Sequence, residues 1–216
     1  MGLKFRILPW HVVLAKTLIH LICLSWALLV YYQATTDQLG GDPVEAVLHF
    51  TGIGAFNLLL ISLCISPLAK LFRQAQFMSF RRLLGLYAFF YGFLHLGSFL
   101  LFELQLEWRL LLSEIIERPY ITVGMAAWLI LLAMTITSTK ALQRKMGSHW
   151  QTLHNGIYLA APLVALHYIW SVKSNILEPS LYILFVAVLL SLRKDKLLRA
   201  LRRSQRSVRH RREHSG

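Results

Sequence analysis

Residues 150–173 read WQTLHNGIYLAAPLVALHYIWSVK, an apolar segment long enough to cross a bilayer that nonetheless carries two imidazoles. His154 lies near its basic end, and His167 follows thirteen residues later, roughly 20 Å further along a helix. Ionisable groups inside a membrane span are costly and usually functional, and neutral imidazole is a ligand for metals and haem iron. The segment is therefore predicted to be a membrane helix that contributes haem ligands.

The angle between the two histidines is left open by the sequence. An ideal helix turns them about 220° apart, so they do not share a face. Pro162 lies between them, where it removes a backbone hydrogen bond and can kink the helix or shift its phase. Each histidine has an alternative role as a hydrogen-bonding residue between helices. A third histidine, His95, lies deep in another apolar stretch and favours the ligand interpretation.

The composition predicts an integral membrane protein, since 56% of the 216 residues are hydrophobic and only 15% are charged. Six apolar stretches come near the ~20 residues that a spanning helix needs. They are 12–33, 50–69, 83–103, 120–138, 153–170 and 177–192. The first is too long for a signal-peptide core and is expected to be retained. The predicted fold class is an all-α membrane protein, a six-transmembrane-helix bundle of residues 1–192 followed by a basic tail of residues 193–216.

Charge orients this bundle. Twenty of the 23 Lys and Arg residues fall in four segments: the amino end to Lys16, 70–82, 140–145, and the tail from Arg193. Eight of the ten acidic residues fall in the other loops. The positive-inside rule therefore predicts that both termini are cytoplasmic. The net charge of +13 is distributed along loop flanks, which favours anionic lipid over nucleic acid as its partner.

His95 and His167 are predicted to lie at similar depth, about thirteen and fifteen residues from the cytoplasmic ends of their helices. Two imidazoles at one level can take opposite faces of a haem iron, a six-coordinate arrangement suited to electron transfer. Small residues near the face of His95 either pack against another helix or leave room for the macrocycle; they are Gly85, Ala88 and Gly92. The partner of His154 is left open among His20, His149, a water and none.

Several other residues have two interpretations each. His49 is either a helix-end hydrogen-bonding residue or a quinone or propionate contact, and Arg118 and Lys173 are candidate propionate partners. The basic loop 140–145 is either a topology signal or a grip for a flavin phosphate or haem propionate. The two cysteines form no CxxC, which excludes a cysteine-ligated iron–sulfur cluster in this sequence. The sequence has no GxGxxG, so no nucleotide-binding domain is expected.

A set of short motifs runs through nearly the whole chain, from about Trp10 to Leu192. They are HFTG (49–52), RRLLGL (81–86), LHL (94–96), RPY (118–120), TST (137–139), QRKMGSHWQTLHN (143–155) and HYIWSVK (167–173). Each is weak alone, but the combination is specific. It resembles the MsrQ (YedZ) family, haem-binding membrane subunits of the bacterial periplasmic methionine-sulfoxide reductase system, related to the ferric-reductase-like transmembrane domain.

The resemblance implies a b-type haem protein of the bacterial inner membrane, with FMN as a further cofactor. Such a protein takes electrons from the respiratory quinone pool and passes them to MsrP, a periplasmic molybdopterin subunit that reduces methionine sulfoxide in oxidised proteins. The haem-binding histidines of the family fall on His95, His154 and His167. Ferric reductases of the wider superfamily carry two histidines on each of two helices, whereas here Arg81 or Arg82 replaces one of them. The resemblance therefore leaves open whether there are one or two haems, and it assigns no residues to FMN.

Two other functions compete with this interpretation. The first is a transmembrane ferric or cupric reductase that acts directly on an external metal. The second, a transporter with an intramembrane histidine relay, fits poorly because the apolar stretches hold few acidic residues and no internal repeat is apparent.

Overall fold

The structure, a computed structural model, describes residues 8–172 and 176–193. Within these residues the fold is all-helical, which confirms the predicted class at that level. The α-helices are α1 (Pro9–Thr35), α2 (Pro43–Leu71), α3 (Met78–Ser98), α4 (Trp108–Glu117), α5 (Pro119–Ile136), α6 (Lys140–Met146), α7 (Ser148–His154), α8 (Ile157–Ser171) and α9 (Leu177–Ser191). The predicted tail lies outside the described residues except for Arg193.

Within the described ranges, four helical segments are long and apolar enough to cross a membrane, and they correspond to the first four predicted stretches. They are Pro9–Thr35, Pro43–Leu71, Ala75–Glu103 and Pro119–Ile136. The fifth predicted stretch, 153–170, is not one helix, and the sixth corresponds to α9, which has 15 residues. The count of six spans and the cytoplasmic placement of both termini stay predictions.

The fifth stretch is interrupted at residues 155–156, whereas the sequence had pointed to Pro162. α7 ends at His154, and Pro162 lies inside α8. The Gly156 N–H donates to the carbonyl three residues earlier at 2.9 Å, which closes a tight turn. A Cβ on Gly156 would lie 2.9 Å from that same oxygen, so the turn requires glycine. His154 and His167 therefore belong to different helices.

Helix starts follow the local sequence. The Asp42 carboxylate accepts a hydrogen bond from the Glu45 N–H at 2.8 Å, which caps α2, and Pro43 fills the first helical position. Pro119 fills the same position in α5. Proline is tolerated there because it has no N–H to leave unsatisfied. α5 begins one residue before the predicted stretch 120–138, whereas α2 begins seven residues before the predicted stretch 50–69.

The chain divides into two compact units, Met1–Glu114 and Ile115–Gly216. In the first unit, α2 packs against α3, and α1 contacts both. The largest fully buried side chains of α2 include Phe56, Leu59 and Leu63. Tyr91 of α3 donates its buried hydroxyl to the Cys23 carbonyl of α1 at 2.7 Å. This bond satisfies a polar group that would be costly to leave unpaired in an apolar interior.

The small residues of α3 serve helix packing in this unit. Ala88 is completely buried, and a Cβ added to Gly85 would meet the Ser62 hydroxyl of α2 at 3.8 Å, an ordinary contact. Gly85 therefore faces α2. This contact supports the alternative in which Gly85 packs against another helix over the one in which it leaves room for the macrocycle.

In the second unit, α5 packs against α8, and α8 packs against α9. The rings of Tyr168 and Tyr182 meet edge to face across the α8–α9 contact, with centroids 5.6 Å apart. Each unit is thus built around one pair of helices, α2 with α3 and α5 with α8, and each pair carries one of the predicted ligand histidines.

Candidate functional site

His95 of α3 is held against two backbone positions of α2. Its Nδ1 lies 2.9 Å from the Leu48 carbonyl oxygen. Its ring lies over Gly52, because a Cβ added there would be only 3.1 Å from both Nδ1 and Cε1. We call Leu48, Gly52 and His95 the first histidine site.

His167 of α8 is held against α5 in the same way. Its Nδ1 lies 2.7 Å from the Tyr120 carbonyl oxygen. A Cβ added to Gly124 would be 2.6 Å from Nδ1 and 2.9 Å from Cε1, closer than real Cβ atoms approach other atoms. We call Tyr120, Gly124 and His167 the second histidine site.

The two sites repeat one local geometry. In each, the histidine follows its carbonyl partner by 47 residues, and the glycine lies one helical turn after that carbonyl. No internal repeat is apparent in the sequence. Gly52 and Tyr120 occur in the HFTG and RPY motifs but were assigned no role, and Leu48 and Gly124 were not singled out. The equal spacing was the available signal, but apolar residues and a lone glycine in a helix do not indicate a site by themselves.

The hydrogen bonds determine which nitrogen of each ring can bind a metal. A carbonyl oxygen only accepts, so Nδ1 of His95 and of His167 must carry the proton. In a neutral imidazole the lone pair then lies on Nε2, which is the form that ligates iron. Metal-binding histidines commonly donate their other N–H to a backbone carbonyl, which fixes the tautomer and the ring orientation. The donor chemistry of both sites therefore fits a haem iron.

His154 differs from the other two candidates. Its Nε2 lies 3.1 Å from the Thr137 hydroxyl, and that hydroxyl lies 2.7 Å from the Ala133 carbonyl. His154 is therefore held at Nε2, whereas His95 and His167 are held at Nδ1.

Trp150 contacts both His154 and Thr137. Its ring stacks on that of His154 with centroids 4.0 Å apart, and its Nε1–H donates to the Thr137 carbonyl at 2.9 Å. His154, Trp150 and Thr137 thus tie α7 to the carboxyl end of α5; we call them the α5–α7 tie. In the second unit, His154 and His167 engage separate partners on α5.

The other histidines among the described residues have local roles or are exposed. His20 pairs with the Tyr87 hydroxyl at 2.6 Å within the first unit. His11 caps α1 by accepting from the Leu8 N–H at 3.0 Å and stacks on Trp10, consistent with an interfacial position. His49 and His149 are exposed.

The roles of Arg118 and Lys173 as propionate partners stay predictions. Arg118 donates to the Tyr120 hydroxyl at 3.2 Å and is exposed. Lys173 lies outside the described residues. The pairing of His95 with His167 on one iron stays a prediction.

Comparison with known proteins agrees with this chemistry. Residues 51–165 match the ferric reductase like transmembrane component family. The protein-methionine-sulfoxide reductase heme-binding subunit MsrQ of Xanthomonas euvesicatoria pv. vesicatoria (strain 85-10) is 45% identical over 201 residues, which are 90% of this chain and 92% of the relative. The proteins of the same name from Xanthomonas axonopodis pv. citri (strain 306) and Salmonella arizonae (strain ATCC BAA-731 / CDC346-86 / RSK2980) are 46% and 44% identical. They cover 88% of this chain each, and 89% and 96% of the relatives.

No solved structure gives a significant match to the chain. The sequence relatives are nevertheless close and cover nearly the full length, and the resemblance predicted from the short motifs is confirmed. This chain belongs to the MsrQ family of haem-binding subunits of protein-methionine-sulfoxide reductase, within the ferric-reductase-like transmembrane proteins.

Proposed function

We propose that this protein is a membrane cytochrome b subunit that carries electrons from the respiratory quinone pool to a periplasmic molybdopterin methionine-sulfoxide reductase of the MsrP type. That partner would repair oxidised periplasmic proteins. The observation that carries the proposal is the repeated histidine site, in which a backbone carbonyl holds Nδ1 of His95 and of His167. The relatives are named as heme-binding subunits of protein-methionine-sulfoxide reductase, which supports the same function.

The proposed ligands are His95 and His167 on one haem b, with His154 serving a separate cytoplasmic-side cofactor, either a second haem or FMN. When bound, haem supplies a one-electron carrier whose potential the protein tunes. The chain's own contribution is to hold each ring at Nδ1 and to present the Nε2 lone pair in a fixed direction. Apolar helices around the histidines keep water away from them, which raises the influence of nearby charges on the carrier.

Haem binding is tested by a reduced-minus-oxidised absorption spectrum of the purified protein in detergent. We expect a Soret shift with sharpened α and β bands on reduction, because bis-imidazole ligation leaves no open position on the iron. A protein that shows no such shift after expression with adequate haem supply would overturn the proposal.

We also propose that residues 1–192 form one haem-binding membrane domain in the bacterial inner membrane, with both termini and the basic tail 193–216 in the cytoplasm. The distribution of Lys and Arg supports this orientation. A reporter fused after Gly216 is expected to be active only as a cytoplasmic fusion. A matched fusion after Glu107, between α3 and α4, is expected to be active only in the periplasm, and the reverse pattern would contradict the charge argument.

The ferric or cupric reductase is the second candidate, and the match of residues 51–165 to the ferric reductase like family favours it. The two functions differ in the final acceptor. Reduced protein that is oxidised by an MsrP-type partner but not by an external ferric chelate supports the first function. Equal oxidation by the chelate alone would support the second.

A further inference from the structure

We propose that Gly52 and Gly124 are positioning residues that fix the imidazole planes of His95 and His167. This inference rests on the proposed ligation of haem by these two histidines. The glycines touch the rings from the side of the neighbouring helix, so they would act through the ligand and not on the cofactor itself.

Two contacts fix the orientation of each imidazole ring. The carbonyl bond at Nδ1 fixes one edge of the imidazole and its tautomer. The glycine lets the ring lie directly on the backbone of the partner helix, a close approach that a Cβ would crowd at Gly52 and would prevent at Gly124. An imidazole held at one edge and along one face cannot turn about its χ2 bond without breaking one of the contacts. The direction of the Nε2 lone pair is thereby fixed.

The two sites differ in how tightly they are built. A methyl group at position 124 would lie 2.6 Å from Nδ1 of His167, a distance at which something must move. At position 52 it would lie 3.1 Å from Nδ1 of His95, where a shift of a few tenths of an ångström relieves the contact. Because α5 is packed against α8, its backbone at position 124 is held in place, so the His167 ring is the part of the second histidine site that can move. Gly124→Ala should therefore disturb its ligand more than Gly52→Ala does.

The chain supplies two matched controls. Gly54 lies on the same helix as Gly52, and a methyl group there would be 2.6 Å from Cδ1 of Tyr91, which is not a candidate ligand. Gly97 lies two residues after His95, and a methyl group there would meet nothing within 4 Å. Gly54→Ala therefore reproduces the steric conflict without a ligand, and Gly97→Ala reproduces the substitution without a conflict.

The four variants would be purified in detergent and compared for haem per polypeptide, for the electron paramagnetic resonance spectrum of the ferric low-spin iron, and for midpoint potential. In Gly124→Ala we expect haem affinity to fall about 10- to 100-fold, the range typical when an outer partner of a metal ligand is lost. In Gly52→Ala we expect haem to be retained with shifted resonance positions. Gly97→Ala is expected to match the wild type in all three measurements, and Gly54→Ala is expected to keep the wild-type resonance in whatever protein folds.

Unchanged resonance and haem content in both Gly52→Ala and Gly124→Ala would overturn the inference, as would a shift in Gly54→Ala equal to that in Gly52→Ala. If Gly124→Ala fails to give a monodisperse protein, the milder Gly52→Ala decides the question. A wild-type protein without haem would instead refute the ligation on which the inference rests, so the two failures are distinguishable.

Discussion

Replacing His95 or His167 with alanine is expected to remove one haem from the purified protein, and it should be the same haem in both variants. The reason is that each ring offers Nε2 while its Nδ1 is committed to a backbone carbonyl, so alanine leaves the iron one axial ligand short. The pyridine haemochrome assay per mole of polypeptide measures the loss. Unchanged haem content in both variants would show that the assigned pairing is wrong.

His154→Ala is the internal control for this prediction, because His154 is held at Nε2 in the α5–α7 tie and not at Nδ1. We expect it to spare the first haem and to disturb a separate cytoplasmic-side cofactor. Thr137→Val then separates two roles of His154, since it removes the partner hydroxyl and keeps the imidazole. Equal cofactor loss in both variants would indicate that His154 acts through the tie, whereas loss in His154→Ala alone would indicate direct ligation.

The histidines could be recognised from sequence because the membrane makes them conspicuous. An imidazole in an apolar span has few structural uses, so His95 and His167 stand out against their neighbours. Both lie on helices and both are held by partners on α2 and α5, as a ligand position requires. Pattern reasoning therefore singles out a costly residue at a position that apolar residues fill more cheaply, while the ligand roles of His95 and His167 stay predictions.

The partners of these histidines could not be found in the same way. Carbonyl groups carry no sequence identity, and glycine is common wherever membrane helices pack, so nothing in the sequence distinguishes Gly52 and Gly124 from packing residues. The break at residues 155–156 was missed for a related reason. Proline is the strongest helix breaker, and Pro162 drew the prediction, but a proline can lie inside a membrane helix when its neighbours tolerate the missing bond. The turn at Gly156 depends on a close approach to the carbonyl three residues earlier, and a single glycine in an apolar stretch does not predict such a turn.

The electron donor is expected to determine whether the haem is reduced. A quinol analogue is expected to reduce the haem of the purified protein to the level reached with dithionite, whereas NADH alone is expected to give no rapid reduction. His95 lies in the candidate span Ala75–Glu103, where a lipid-soluble quinol has direct access through the bilayer. NADH is water-soluble and delivers a two-electron hydride, which a flavin must split because haem iron accepts one electron at a time.

Two parallel anaerobic samples test this prediction. One receives NADH and then a separate flavin reductase, and the other receives the quinol analogue instead. Reduction should begin only on addition of the flavin reductase or the quinol analogue, and oxidised MsrP-type partner should then reverse it by drawing the electrons outward. Bound FMN by itself does not alter the expectation, because it splits a hydride only if a nicotinamide binds beside it. Rapid reduction by NADH with no other protein present would therefore identify this chain as a self-contained reductase and exclude a strict dependence on quinol.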